Sequence, residues 1–477
     1  MEIPQQAIED NRRLSRRGAE LLARAAVHPE AAVPEDFSDY DLPALVAVFP
    51  YPVQAWPAIL GGQALAEMRR ATTGVPRLLG LIPERVFDND VRRMSQFYGV
   101  ADLGFLDLVL RPPNGLFTPL TRGDFYHTDS GFKCLEINVS VRLGGWHLRC
   151  FIDRLYYQKA WMRDLLLRED APAVYVDPLF ELFEALVRQA RSTGVSGGNA
   201  GNAGSTEEVN VLFAVASPAE MAQFQSFRYE EYLREAYAAF LESRHPGLRG
   251  VVALAPYDAL REEGHRLWLG RRRIHAVLEN HGPFTHPMAY RVFKAGGINL
   301  FNGPAAMLMD NRQNLALLSE HAESDRFDAA ERELIRRHIP WTRLARPGTV
   351  EYRGERESLL DLVLARRESM VLKHVDSMAG KLVFVGAFLS PEQWAEVARK
   401  AFSESCWIVQ EREVPLPGWY QDEAGGVSPY DVVWGTFSFA GQYGGGFLRI
   451  QPSGKEGVIN SARGATQAMY LEVENES

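Results

Sequence analysis

Short apolar runs alternate with amphipathic stretches along most of the chain. A continuous apolar run between turn residues is typical of a buried strand, whereas apolar residues at helical spacing are typical of a helix that faces a core. Between about residues 209 and 300, the strand-like runs VNVLFAVA and GVVALAP accompany the helical stretch FQSFRYEEYLREAYAAFL. This alternation predicts a parallel α/β unit.

The region before this unit contains short apolar and aromatic segments separated by turn signals. FLDLVLRP, FYHTDSG and FKCLEINVSV predict three strands, and the Asp-Ser-Gly turn can join the last two into a hairpin. The upstream run LVAVFPYPV predicts a buried strand that leads into a helix near ILGGQALAEMRR. Further helices are predicted from Phe151 to Arg168, from Pro178 to Ser192 and from about Asn311 to Pro340.

A compact alternation of elements follows near the C-terminal third. It reads helix RESLLDLVLARRE, strand SMVLKHV, strand LVFVGAFL, helix PEQWAEVARKAF and strand CWIVQEREV. Ser390 can cap the second of these helices, Pro391 suits its first turn, and Gln393 completes a capping box. The Gly/Asn/Ser-rich segment 192–205 predicts a flexible surface loop.

The composition narrows the class of protein. The chain has 477 residues, 46% of them hydrophobic, and a formal charge of −9 from 52 Lys and Arg against 61 Asp and Glu. This supports a sizeable core and about two to four domains, and it disfavours nucleic acid and anionic membrane as partners. The uncharged run from Leu42 to Ala66 contains four prolines, which a membrane span tolerates badly. Three cysteines without CxxC spacing, and a polar N-terminus, favour a cytoplasmic protein.

Four polar residues lie two apart on the last two predicted strands. Arg122 and Asp124 belong to one strand, and Glu136 and Asn138 to the next. Because residues two apart on a strand point to one face, a hairpin would bring all four, here called the hairpin quartet, together. Two carboxylates and an amide oxygen suit Mg²⁺, and Arg122 can stabilise a phosphoryl or acyl centre. The alternative is the polar outer face of a half-exposed hairpin.

A second candidate site lies in SMVLKHVDSMAGKLVFVGAF. Lys373 closes an apolar strand, residues 376–380 form a short loop of mostly small side chains, and Lys381 opens the next strand. Such a loop can place backbone N–H groups on phosphate oxygens, with a lysine as a point charge. The strand that ends in Gln410 and Glu411 can offer backbone groups to an adenine ring. The alternative is an ordinary β-turn.

Together and in this order, the two signals resemble the circularly permuted ATP-grasp ligases, and most closely the glutathionylspermidine synthetase type. In that family an R-x-D strand precedes an E-x-N strand, and the hairpin quartet matches this pattern position for position. The family's later VLK…G…G block is matched by Lys373, Gly380 and Gly386, and its QE strand beside adenine by Gln410 and Glu411.

The resemblance extends from about Phe49 onward and implies a circularly permuted ATP-grasp fold of mixed α+β and α/β type. Asn314 stands where family members commonly have Lys. The implied domains are an N-terminal part of the ATP-grasp core with the metal-binding strands (1–170), a Rossmann-like α/β lobe (171–310), a mobile lid and nucleotide-binding subdomain (311–412) and the C-terminal part of the core (413–477).

The same resemblance implies an ATP-dependent carboxylate–amine ligase that forms an amide through an acyl phosphate and releases ADP and phosphate. Two Mg²⁺ ions would bind Asp124, Glu136 and Asn138, and Arg122 would be the catalytic residue. ATP would be bound by Lys373, Gly380, Lys381, Gln410 and Glu411. A catalytically silent ATP-binding or scaffold protein and a small-molecule kinase remain alternatives on the same fold.

Substrate contacts are expected just beyond the second strand of the hairpin and near the C-terminus. The candidates are Arg142, Trp146, His147 and Arg449. The expected partners are a small-molecule carboxylate and an amine. Neither nucleic acid nor membrane is expected as a partner. A homodimer is one possible assembly.

Overall fold

The computed structural model describes residues 3–25, 27–28, 42–44, 46, 51–110, 119–139, 143–195, 207–215, 217–279, 286–302, 304–375, 382–422, 424–474 and 476. The strands in this part of the chain are β1 (Ala58–Gly61), β2 (Leu120–Thr128), β3 (Gly131–Val139), β4 (Val211–Val215), β5 (Val252–Pro256), β6 (Leu260–Glu263), β7 (Arg266–Leu269), β8 (Arg272–Ile274), β9 (Ala276–Glu279), β10 (Asn299–Phe301), β11 (Thr342–Leu344), β12 (Thr349–Tyr352), β13 (Glu355–Ser358), β14 (Met370–His374), β15 (Val383–Val385), β16 (Trp407–Glu411), β17 (Gly418–Gln421), β18 (Val427–Phe439), β19 (Gln442–Pro452), β20 (Thr466–Ala468) and β21 (Tyr470–Val473).

The α-helices in the same part of the chain are α1 (Gln5–Leu14), α2 (Arg16–Ala25), α3 (Gly62–Arg85), α4 (Val91–Tyr98), α5 (Leu103–Leu110), α6 (Arg149–Phe151), α7 (Ala160–Leu166), α8 (Pro178–Ser192), α9 (Pro218–Ser226), α10 (Tyr229–Arg244), α11 (Pro287–Lys294), α12 (Pro304–Met309), α13 (Gln313–Glu320), α14 (Ala329–His338), α15 (Leu359–Ala365) and α16 (Pro391–Ser403). None of the helices in the described ranges is long and apolar enough to cross a membrane.

Six antiparallel strands form the central sheet. Their order is β20-β19-β18-β2-β3, and β17 pairs with β18. The predicted hairpin is confirmed, because β2 and β3 pair with each other across the tight turn at 129–130. Side chains alternate between the two faces of such a sheet. The face that carries Asp124, Val433 and Arg449 is called the front face, and the face that carries Trp434 is called the back face.

Helix α3 covers the back face of the central sheet. Its Thr72 Oγ1 lies 2.7 Å from Thr436 Oγ1 of β18, and Met68 and Val75 are fully buried. The apolar side of this helix therefore closes the core, while the front face is left for another part of the chain.

The predicted parallel α/β unit is confirmed. Strands β10-β9-β4-β5 form a parallel sheet, in that order, within the expected range of about 209–300. Helices α8 and α10 pack against each other, and α10 packs on β5. Val211, Leu212 and Val277 are fully buried, as expected for strands that are covered on both faces.

A third sheet has the order β11-β16-β14-β15 and is antiparallel. It is called the lid sheet here because it lies in the range where the sequence predicts a lid, a role that stays a prediction. Helices α15 and α16 pack together beside it, and their core contains Trp394, Leu362 and Leu372. The predicted capping box of α16 is confirmed, since Ser390 Oγ accepts from Gln393 N and Gln393 Oε1 accepts from Ser390 N.

Some predicted elements are wrong. Residues 105–110 of the predicted strand FLDLVLRP lie in helix α5, because a short, mostly apolar run fits a buried strand and a buried helix equally well. The strand predicted at LVAVFPYPV lies partly outside the described residues, and the paired strand is β1, further along the chain. Most of the predicted loop 192–205 is outside them as well, from residue 196 onward.

Three long predicted helices are each divided. The segment 151–168 contains a π-helical turn at Ile152–Tyr156 and restarts only at α7, after Lys159 in an extended conformation. The stretch 224–241 breaks between α9 and α10, where Arg228 has a φ of 52°. The stretch from about 311 to Pro340 forms α13 and α14 with turns between them.

Candidate functional site

The hairpin quartet lies on the front face of the central sheet. Asp124 is directly opposite Glu136, and Arg122 is directly opposite Asn138 in the β2–β3 register. Opposite residues of antiparallel strands share a face, so the predicted grouping of these four side chains is confirmed. Their roles as metal ligands and catalytic residue stay predictions.

A β-bulge beside the quartet connects it to the lid sheet. The register shifts after Asp124, so that Leu135 is the extra residue of β3. Its carbonyl oxygen accepts a hydrogen bond of 2.9 Å from Lys373 Nζ, and Lys373 also donates to Gln410 Oε1 at 2.6 Å. Bulges commonly re-aim side chains next to functional sites. The two motifs, separated by more than two hundred residues in sequence, therefore meet in one place.

Asp124 lies between two arginines. Arg122 Nε donates to Asp124 Oδ1 at 2.9 Å, and Arg449 Nη2 lies 2.6 Å from the same oxygen. Asn138 Nδ2 donates to Asp124 Oδ2 at 3.3 Å. Burial on its own would raise the pKa of Asp124, but the two guanidinium groups hold that pKa well below its usual range. Asp124 is therefore a carboxylate at neutral pH.

Glu136 is bound by Arg312, a residue that the sequence analysis missed. Arg312 Nη2 donates to Glu136 Oε2 at 2.8 Å, and Arg312 Nη1 donates to the carbonyl oxygen of His374 at 2.9 Å. One guanidinium thus ties the central sheet to the end of β14 in the lid sheet. Nothing in the local sequence around Arg312 indicates a partner so distant in the chain.

Lys373 is buried, with 6% of its surface exposed. Burial disfavours the charged ammonium and lowers the pKa of Lys373 to about 8, although Glu136 acts in the opposite direction. The cationic form needs an anion to stabilise it, and a phosphate group would supply one.

A cleft lies between the front face and the lid sheet. Its polar end is lined by Asp124, Glu136, Lys373 and Arg449. With Arg122 and Arg312 included, four cationic side chains face two carboxylates. Asp310 also acts on Arg122, and the carboxylates of Glu411, Glu413 and Asp431 line the cleft as well.

Apolar side chains also line the cleft. Val371, Val383, Val385 and Phe388 of the lid region line it, together with Ile459 of the C-terminal part. Gln410 and Glu411 lie along the same cleft at the end of β16. The Glu411 carboxylate accepts hydrogen bonds from Tyr352 and Arg353, both at 2.7 Å. A cleft with both charged and apolar lining suits a ligand that combines anionic groups with an aromatic ring.

The donor set fits an anion together with a divalent cation. Arg449 is 6% exposed, and its Nε has no hydrogen-bond partner among the described residues, so a donor at this end is available to an anion. Hard oxygen ligands on one face suit Mg²⁺. No group of three or more His, Cys, Asp and Glu side chains placed to hold a metal occurs in the described ranges. The quartet offers two carboxylates and an amide instead.

A glycine opposite Asp124 makes room for these side chains, and the sequence analysis missed it. Gly435 pairs with Asp124 across β18 and β2. A Cβ atom at Gly435 would lie 3.3 Å from Arg122 Cδ and 3.6 Å from Asp124 Oδ1. The absence of a side chain there therefore gives the arginine and the carboxylate their space.

The other predicted site residues are not brought to the cleft by the described structure. His147 is 2% exposed, does not line the cleft, and its Nε2 lies 3.1 Å from Gln467 Oε1. Gly386 packs against the backbone of Arg367, where a Cβ would come within 2.1 Å of the carbonyl oxygen. The predicted positions Arg142, Gly380, Lys381 and the Trp146 side chain lie outside the described residues.

Asn314 has a structural role. Its Nδ2 donates to the carbonyl oxygens of Leu308 and Met309, and its Oδ1 accepts from Tyr98 at 2.6 Å. This side chain, from α13, therefore joins the C-terminal end of α12 to the end of α4. A lysine could donate to the two carbonyl groups but could not accept the Tyr98 hydrogen bond.

Comparison with known proteins gives a match at the level of structure. A glutathione synthetase-like effector from Globodera pallida has a TM-score of 0.51 at 10% identity, over 99% of this chain and 98% of that chain. The chain therefore has a glutathione synthetase-like fold. This agrees with the ATP-grasp-like, mixed α/β architecture expected from the sequence, while the circular permutation and the glutathionylspermidine synthetase likeness stay predictions.

The other comparisons give one weaker structural match and no match by sequence. A candidate gamma-glutamylcysteine synthetase from Methylobacillus flagellatus KT has a TM-score of 0.34 at 9% identity, over 84% of this chain and 88% of that chain. No protein-family profile and no curated protein matches the chain.

Proposed function

We propose that the protein is an ATP-dependent carboxylate–amine ligase that works through an acyl phosphate. The observation that carries this proposal is the cleft between the front face and the lid sheet, which Lys373 and the acidic pair Asp124 and Glu136 line together with the valines of the lid sheet. The triphosphate of ATP would lie at the polar end. The adenine ring would lie between the valines of the lid sheet, beside Gln410.

The chain's own residues position and neutralise charge in this proposal. Lys373 would bind phosphate oxygens, and Arg122 and Arg449 would stabilise the negative charge of the acyl phosphate, because guanidinium groups pair well with phosphate and carboxylate oxygens. Asp124, Glu136 and Asn138 would hold Mg²⁺, which would supply further neutralisation of the phosphate charge. The lid sheet would exclude water, to which an acyl phosphate is labile.

The proposed reaction has two bond exchanges. A carboxylate oxygen bonds to the γ-phosphorus while the bond from that phosphorus to the β,γ-bridging oxygen breaks, and ADP leaves. The amine nitrogen then bonds to the acyl carbon while the bond from that carbon to the phosphoryl oxygen breaks, and phosphate leaves with the acyl oxygen. The nitrogen loses a proton to solvent or phosphate. The protein takes little part in the covalent changes, so it would accelerate the reaction mainly by aligning the substrates and stabilising charge.

The structural neighbour supports this class of reaction and also one alternative. Its description as glutathione synthetase-like is consistent with ligation of an acid to an amine. The same description calls it an effector, which keeps a catalytically silent ATP-binding protein as the second candidate. The four cations and the intact acidic pair favour the ligase, because binding of a nucleotide without chemistry does not require the whole set.

The test is ADP formation with Mg·ATP across a panel of amino acids and small amines, supplied singly and in pairs. The ligase predicts ADP and phosphate in equal amounts and only with certain acid–amine pairs, together with a condensed product in the mass spectrum. ADP with one co-substrate and a stable phosphorylated product would favour the kinase. No ADP with any pair would favour the silent protein.

The matched variants are Glu136→Gln and Glu67→Gln. Each replaces the carboxylate of an arginine ion pair whose N–O distance is 2.8 Å, but Glu67 pairs with Arg337 away from the cleft. We expect Glu136→Gln to lower ADP formation at least a hundredfold and Glu67→Gln to leave it near the wild-type rate. Equal activity of the two variants would contradict the assignment.

A further inference from the structure

A three-stranded meander lies between β5 and β9 of the α/β unit. Its strands β6, β7 and β8 are antiparallel and are joined by two turns of two residues each. One face of the meander packs on the unit, because Leu260, Leu267 and Ile274 are buried in a cluster that also contains residues of the parallel sheet. Since side chains alternate along a strand, the residues between them lie on the opposite, outer face.

The outer face of the meander carries arginines around one tryptophan. In the strand register, Trp268 of β7 is opposite both Arg261 of β6 and Arg273 of β8. Arg266 is opposite Glu263. Opposite residues of antiparallel strands share a face, so these five side chains lie together. The name arginine face is used here for Arg261, Glu263, Arg266, Trp268 and Arg273, with the adjoining exposed residues Arg271 and Arg272.

The positive charge of the arginine face is largely uncompensated. Residues 264–278 contain four arginines and no Asp or Glu, in a chain whose net charge is −9. Glu263 is in an ion pair with Arg261, and Arg291 Nη2 lies 3.0 Å from Oε2 of the neighbouring Glu262. Acidic groups further away are screened, since the Debye length is about 8 Å at physiological salt. Within the part of the chain that the structure describes, no ion pair is formed by Arg266, Arg271, Arg272 or Arg273.

Two buried N–H donors of the arginine face have no acceptor. They are Trp268 Nε1 and Arg273 Nε, on directly opposite residues, and neither has a hydrogen-bond partner among the described residues. Burial and the positive charge of Arg266 both lower the pKa of Arg273, and no carboxylate offsets them. The Arg261 guanidinium lies over the Trp268 ring, 5.3 Å from its centre, on a side chain that is 53% exposed and free to move aside. An oxyanion beside an aromatic group would supply what this face lacks.

We propose that the arginine face binds single-stranded nucleic acid. The unpaired arginines would pair with backbone phosphates, which guanidinium groups bind well, and Trp268 would stack on a base. A sheet surface that presents an aromatic ring beside positive charge is a common platform for single-stranded RNA. An acidic peptide would meet the same charge but would leave the indole without a stacking partner. This proposal does not depend on the ligase activity, because none of these residues lines the cleft.

The first experiment measures the fluorescence anisotropy of a labelled 12-nucleotide oligouridylate as the full-length wild-type protein is added. Unlabelled competitors then distinguish the polyanions: the same oligonucleotide, a 12-residue polyglutamate and phosphatidylserine vesicles. We expect saturable binding, and displacement by the oligonucleotide at an anion concentration at least tenfold lower than by the other two. Absence of binding, or displacement by polyglutamate or vesicles at the same anion concentration as the oligonucleotide, would overturn the proposal.

Two double variants locate the site. Arg266→Gln/Arg271→Gln removes two exposed arginines of the arginine face, and Arg12→Gln/Arg356→Gln removes two exposed arginines of α1 and β13. Both variants change the net charge by the same amount, so they differ only in where the charge is lost. We expect oligouridylate to bind at least tenfold more weakly to the first variant and within twofold of the wild type to the second. The same affinity in both variants would contradict the assignment to the arginine face.

The salt dependence of binding gives a second readout. About four phosphate contacts predict that the affinity of the wild type falls roughly fiftyfold between 50 and 200 mM salt, since each contact with a single strand adds about 0.7 to the slope of log affinity against log salt. With two of these contacts removed, the affinity of Arg266→Gln/Arg271→Gln should fall only about sevenfold over the same range. An equal fall in the two proteins would mean that these arginines do not contact phosphate, which would also overturn the proposal.

Discussion

The charged side chains at the polar end of the cleft are held by one another. Asp124 is between Arg122 and Arg449, and Glu136 is held by Arg312. Removing one member of a buried ion pair leaves an unpaired charge, at a cost of about 3–5 kcal/mol. Substitution of Asp124 would therefore affect folding as well as chemistry. The more exposed Glu136 and the terminal amine of Lys373 are better probes of function.

Lys373 gives a prediction about pH. Its pKa of about 8 in the folded chain is below the value of about 10.4 expected when the chain is unfolded. Between these two pH values the unfolded chain binds a proton that the folded chain lacks, so the free energy of unfolding rises with pH. From pH 7 to pH 10, without metal or nucleotide, we expect the wild type to gain on the order of 2–3 kcal/mol relative to Lys373→Met.

Urea denaturation of both proteins at the two pH values measures this difference. Groups that do not interact with Lys373 titrate equally in the two chains, so their contributions cancel. If the wild type and Lys373→Met differ in free energy of unfolding by the same amount at pH 7 and at pH 10, Lys373 keeps an ordinary pKa in the folded chain.

Residue types and spacing were enough to predict which side chains share a face, but not which side chains from distant segments complete the site. The i, i+2 spacing in β2 and β3 placed Arg122, Asp124, Glu136 and Asn138 together. Arg312 and Gly435 could not be found in this way. Arg312 contacts Glu136 and Gly435 lies opposite Asp124, and both of these partners are more than 170 positions away in the chain.

At the scale of elements, local sequence signals decided which predicted helices and strands were correct. The Asp-Ser-Gly turn and the capping residues before α16 predicted a hairpin and a helix start that the structure confirms. The bulge at Leu135 was not predictable, because it depends on how β3 pairs along its length. Uniform apolar segments such as FLDLVLRP were predicted wrongly, since their periodicity does not separate a strand from a buried helix.

The helix cap of α16 gives a prediction at this scale. This helix packs Trp394 and Ala398 into the core of the lid sheet, and its first turn depends on Ser390. We expect Ser390→Ala to lower the free energy of unfolding by about 1 kcal/mol, because a backbone N–H loses its acceptor. Ser390→Asp keeps an acceptor and should retain most of the stability. Equal losses in the two variants, measured by urea denaturation, would contradict the role of the cap.

At the scale of the whole molecule, the cleft is built from three distant parts of the chain. The β2–β3 hairpin, the lid sheet and the C-terminal strands β18 and β19 each contribute to its lining. The sequence predicted each part separately, and the resemblance to a known family was needed to expect that they meet. The net charge of −9 disfavours polyanionic partners as a class, yet Lys373 and three arginines lie close to Asp124 and Glu136 beside this cleft.

The most direct test of the account is the binding of a non-hydrolysable ATP analogue, AMP-PNP, by isothermal titration calorimetry. The matched variants are Lys373→Met and Lys133→Met, because each lysine donates to a backbone carbonyl oxygen, at 2.9 and 2.8 Å, and only Lys373 lines the cleft. The account predicts binding by the wild type and by Lys133→Met with Mg²⁺, at least tenfold weaker binding by Lys373→Met, and weaker binding when EDTA replaces Mg²⁺. Absence of binding by the wild type, or equal affinity in the two variants, would contradict it.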